Sequence, residues 1–92
     1  MTPPGDIVAR IKKLPLGALT GSAHGKRYLL TRDAFSAGRS IKVVARELGG
    51  ADYISLNLYD LESGPRLYPC EMPAEKVIAF LRSFAPDESA AA

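Results

Sequence analysis

"SIKVVARELGG", residues 40–50, carries two periodicities at once. At 3.6 residues per turn, Ser40 caps a helix, Ile41, Val44, Ala45 and Leu48 form one stripe, and Gly49-Gly50 ends it. At a period of two, Ile41, Val43 and Ala45 alternate against Lys42, Val44 and Arg46, and the glycine pair becomes a turn. The β-branched content supports a strand; the cap, the stripe and the "ARELGG" ending support a helix. The helix is the preferred reading and the strand its alternative. The choice decides whether the fold has a third helix or a larger sheet.

The next segment has a single reading. In "DYISLNLYDL" (52–61), Ile54, Leu56 and Leu58 point one way and Tyr53, Ser55, Asn57 and Tyr59 the other. Strict alternation predicts a strand over 53–61 with one buried face. "ESGP" then turns the chain, and residues 66–69 return as the partner strand of a hairpin, ended by Pro69, which cannot donate to a ladder. Pro73 suits the first helical position, Glu75 sits in the acid-favouring first turn, and Val77, Phe80, Leu81 and Phe84 form an apolar stripe stopped by Pro86. A helix is expected over 74–84.

Upstream, "LGALTGSAHGKRYLLTRDAF" (16–35) holds two extended runs that meet at His24-Gly25-Lys26, with glycine supplying the positive φ of a tight turn. The run 27–35 is rich in β-formers, whereas Gly17 and Gly21 make the first run a weak edge strand. "DIVARIKKL" (6–14) spaces Ile7, Val8, Ile11 and Leu14 as a short helix, capped by Asp6 and stopped by Pro15. That helix is too short to persist alone, so its apolar side must dock on something. The fold class expected is α+β, a small antiparallel β-sheet packed with two to three α-helices, the C-terminal helix following a β-hairpin.

The 92 residues are enough for one hydrophobic core and one domain, 1–92, with 1–4 frayed and 87–92 a disordered tail. At 47% hydrophobic and 24% charged residues, the chain is neither disordered nor fibrous in composition. A single cysteine cannot close an internal disulfide and suits a reducing compartment. No stretch approaches the ~20 apolar residues of a membrane span. The expectation is a soluble, cytoplasmic protein without membrane association, a monomer or weak homodimer.

Charge is unevenly placed. Residues 1–46 carry nine lysines and arginines against two acids, a net +7, and residues 47–92 carry three against eight, a net −5. Such halves either neutralise each other within the fold or present a basic and an acidic face. In the helical reading of 40–48, Arg39, Lys42 and Arg46 line one side, a cluster able to attract phosphate. Outward on the paired strands, Tyr53, Asn57 and Tyr59 neighbour Arg66 and Tyr68. Tyrosines interleaved with arginine and asparagine serve single-stranded nucleic acid or a protein interface, unless a helix covers them as half-buried core.

Cys70 lies just before a helix N-terminus, which favours thiolate, but Glu71 opposes ionisation and no second cysteine is present to resolve an oxidised thiol. His24 is the only imidazole available as its base. The preferred reading of both is structural, Cys70 as a small apolar plug under the helix and His24 as a turn residue. One cysteine and one histidine fall short of a zinc ligand set, and no phosphate loop, zincin or nucleophile-elbow motif is present. These residues predict a non-catalytic binding domain without cofactor or metal. It would present a basic, tyrosine-bearing surface to a protein or nucleic-acid partner, with a thiol-dependent protein acting through Cys70 as the alternative.

Overall fold

The computed structural model describes residues 1–87. Helix α1 (Gly5–Lys13) precedes five strands, β1 (Gly17–Ala23), β2 (Lys26–Phe35), β3 (Ser40–Glu47), β4 (Tyr53–Leu61) and β5 (Gly64–Pro69). Helix α2 (Ala74–Ser83) and a two-residue strand, β6 (Ala85–Pro86), follow. Neighbouring strands are all antiparallel, in the order β5-β4-β3-β2-β1-β6. The fold is α+β, a meander of five strands with β6 folded back onto β1.

Residues 40–47 form a strand, which corrects the helix preferred from sequence. β3 sits inside the sheet, paired along eight residues with β2 and seven with β4. A helix there would leave the facing edges of β2 and β4 with unpaired N–H and C=O groups. Satisfying both ladders outweighs a cap and a stripe. Ile41, Val43 and Ala45 are buried, while Leu48, counted in the helical stripe, is exposed, and Gly49-Gly50 lies in the turn to β4.

The β1–β2 hairpin turns at His24 and Gly25, with φ of 51° and 76°. Two successive positive φ values are the mark of the tight turn whose twist matches paired strands. Along β1, Leu19 and Ala23 face inward with Tyr28 and Leu30 of β2. The core of that face continues through Ile54, Leu56, Leu58 and Leu67. Onto it α1 lays Ile7 and Ile11, and α2 lays Val77, Phe80 and Leu81. Each such buried side chain contributes roughly 1.5–3 kcal/mol. Phe80 meets Tyr28 edge-on at 4.9 Å and stacks on Phe84 at 5.4 Å.

The helix ends differ slightly from expectation. Asp6 does not cap α1: Pro4 precedes the helix, whose first turn closes on the Pro4 carbonyl, and Asp6 instead pairs with Arg82 of α2 at 3.0 Å. Pro73 stands just before α2 rather than inside it, and Phe84 leaves the helix in an extended conformation. Close approach at β6 depends on Gly21, where a Cβ would fall 2.5 Å from both the Ala85 carbonyl oxygen and the Phe84 ring.

The molecule is a slab of 38 × 30 × 19 Å. Nineteen ångströms accommodates one sheet and one helix layer at the usual spacing of about 10 Å, so the other face of the sheet has no cover. On the outer edge, Met1 and Leu67 exchange backbone hydrogen bonds of 2.8 and 3.0 Å. Asp87, first residue of the expected tail, donates its N–H to the Thr20 carbonyl and accepts from Arg27; residues 88–92 lie outside the described residues. Among the described residues no helix is long and apolar enough to cross a membrane.

Candidate binding face of the sheet

Alternation carries Lys42 and Arg46 of β3, Tyr53, Asn57 and Tyr59 of β4, and Arg66 and Tyr68 of β5 to the side away from the helices. Seven of the eight surface residues singled out in the sequence therefore share one uncovered face. Lys42 and Arg46 belong together for a reason other than the expected helix: a spacing of four is near one helical turn and is also even along a strand. Arg39, an odd step from Lys42, lies in the β2–β3 turn instead. It lines a cleft of about 470 Å³ at the sheet end with Ser36, Ser40, Tyr59, Asp60 and Glu62.

Strand register sets the outward side chains in rungs. Arg46 stands opposite Tyr53, Lys42 opposite Asn57 and through it Tyr68, and Tyr59 opposite Arg66. The Tyr59 and Tyr68 rings touch edge-on at 5.5 Å. Between the first two rungs lie small or branched residues, Ser55, Val44 and Thr31, with Ser55 only 8% exposed beneath its taller neighbours. Tyr53 and Tyr68 are 38% and 49% exposed, values incompatible with a helix lying over them.

The sequence reading missed Leu29 and Phe35, which extend this face across β2 and are 39% and 54% exposed. The signal was available: both share parity with Thr31 and Asp33, opposite to the buried Tyr28 and Leu30.

Electrostatics divide the two sides. On the helix side most cations are matched, Arg82 and Arg10 to Asp6, Lys12 to Asp60, Lys76 to Asp52 and Lys26 to Glu47, whereas Lys13 and Arg32 form no ion pair among the described residues. Arg27 pairs with Asp87 at the β6 edge. Arg82 holds the Asp6 carboxyl below the usual range, and Arg27, with help from Thr20, does the same for Asp87. Lys76 and the Tyr28 hydroxyl lower Asp52, while burial first and Asp52 second push Tyr28 up to about 12. By contrast Lys42, Arg46 and Arg66 form no ion pair among the described residues. The acid in the outward rows of the five long strands is Asp33, across from Lys42 in register but not in an ion pair with it.

Cys70 follows β5 on the same open side. The residue is half-buried and its sulfur accepts from Asn57 Nδ2 at 3.4 Å, so it does not plug the space under α2. His24 sits in the β1–β2 turn, where its backbone N–H donates to Ser83 Oγ at 2.9 Å. Four strand steps separate β1 from β5, about 19 Å at ~4.8 Å each, and no Cys–His pair is assembled. Among the described residues no three His, Cys, Asp or Glu side chains gather as a metal ion would require. Comparison with protein-family models, curated proteins and solved structures finds no match for the chain.

Proposed function

We propose that this protein is a non-catalytic binding domain that engages an anionic macromolecule through the open face of its sheet. The observation that carries the reading is the division of charge. Three acids of the second half of the chain, Glu47, Asp52 and Asp60, are paired with cations of the helix side, while Lys42, Arg46 and Arg66 all stand without an ion pair among the described residues beside exposed tyrosines. An uncovered sheet face with aromatic and cationic groups is a contact surface by composition. A role acting through Cys70 has less support, because the sole histidine lies at the other edge of the sheet.

Titrating the labelled protein with heparin, a generic polyanion, at low salt tests the reading by amide chemical shifts. Changes should map to Lys42, Arg46, Tyr53, Asn57 and Arg66 and fade steeply as salt rises. Shifts confined to α1 and α2, or no binding, would overturn it.

A further inference from the structure

We infer that the ligand of the open face is single-stranded nucleic acid, laid along β4 with bases on the tyrosine rings and phosphates on the neighbouring cations. The inference rests on the binding reading above and narrows it to one partner class. Its warrant is the pairing within each rung: Arg46 beside Tyr53, Lys42 in line with Tyr68, and Arg66 beside Tyr59. An unpaired nucleotide offers an apolar base face and a charged phosphate side by side, and each rung offers the complement. The rungs occur at positions 53, 57 and 59 of β4, a span of about 20 Å at ~3.4 Å per residue, which suits a strand of a few nucleotides. A duplex hides its base faces within the stack, leaving the rings without a partner. An acidic protein supplies carboxylates but no planar bases.

Three cations on three phosphates set the salt dependence. The slope of log K against log salt should be about −2, at roughly 0.7 per phosphate for a single strand. Asp33 opposes one of them, so Asp33→Asn should tighten binding.

The test is fluorescence anisotropy of a dye-labelled oligothymidylate about ten nucleotides long with the full chain, competed by duplex DNA, polyglutamate and heparin. The expected result is binding with that slope, and weaker competition by duplex and polyglutamate at equal charge. Arg46→Gln should reduce the slope by about 0.7. Tyr53→Leu should weaken binding about tenfold and leave the slope unchanged, while Tyr53→Phe, which keeps the ring, should bind as the parent does. Because Tyr53 is exposed, both variants should keep the parental melting temperature, which separates loss of contact from loss of fold. Equal binding by the Leu and Phe variants, or equal competition by polyglutamate, would overturn the inference. Heparin bound at this face without oligothymidylate would overturn it and leave the broader reading in place. Absence of binding to either would overturn both.

Discussion

Replacing Gly21 with alanine sets two opposing effects against each other. In an exposed strand the change would stabilise by roughly 0.5–1 kcal/mol, because alanine has less freedom to lose on folding. At Gly21 the new methyl would lie 2.5 Å from the Ala85 carbonyl oxygen and 2.5 to 2.7 Å from the Phe84 ring. Carbon contacts become favourable only near 3.5 Å, so β6 and Phe84 must retreat by about 1 Å. Such overpacking costs about 1–3 kcal/mol, and it also loosens the Phe84 stack on Phe80. The overpacking wins, with a net loss of about 1–2 kcal/mol. For a chain of this length that lowers the melting temperature by about 5–15 °C. Thermal unfolding by circular dichroism measures the loss, and amide shifts of residues 84–87 locate it. Gly5→Ala is the control: it opens α1 with nothing within 4 Å of its would-be Cβ, and should stabilise by a few tenths of a kcal/mol. A rise in melting temperature for Gly21→Ala, with residues 84–87 unshifted, would refute the close approach.

Tyr28 favours the folded state below pH 10, and that contribution disappears as pH rises toward its folded value of about 12; Tyr28→Phe should remove this alkaline loss, seen as urea midpoint against pH. At neutral pH the same variant should cost about 1.5 kcal/mol, the low end for a hydrogen bond to a charge because Lys76 still satisfies Asp52. Asp6 and Asp52, both held low by their cations, stabilise above about pH 4 and lose that effect as pH falls through their folded values. Asp52→Asn should therefore flatten the acid limb of the stability profile, and an unchanged limb would contradict the assignment. Cys70→Ser should alter stability by less than about 0.5 kcal/mol, and Cys70 should react with a thiol reagent in the native protein at a rate indifferent to His24→Ala. Labelling only upon unfolding, or a slowing by the histidine change, would contradict its placement.

The strand at 53–61 was legible because one of its faces is buried and the other is not, so a local pattern recorded a global fact. The turn at His24-Gly25 was legible through glycine, and α2 through its apolar stripe. The segment 40–47 was not. Ile41 with Ala45 satisfies both periods, and Val43 and Val44 each satisfy one. What settles it is the need of β2 and β4 for a partner, which no window of eleven residues contains. The same ambiguity hid the true position of Arg39, since its odd spacing from Lys42 separates in a strand what a helix would gather. β6 is two residues long and exists only because Phe84 and Gly21 bring it to β1. Ion pairing on the helix side joins residues up to 76 apart in sequence, beyond any local reading of charge.

The hydrogen bonds between Met1 and Leu67 also decide how this sheet behaves toward copies of itself. Leu67 points its backbone groups away from β4, and alternation gives Pro65 and Pro69 the same orientation. Proline has no N–H to offer. Along the free side of β5, then, a foreign strand meets two pyrrolidine rings and a leucine whose donor and acceptor are already engaged. Edge-to-edge growth, the usual route from an antiparallel sheet to fibrils and swapped dimers, is closed on this side. Here the sheet can expose its face without its edge recruiting further strands.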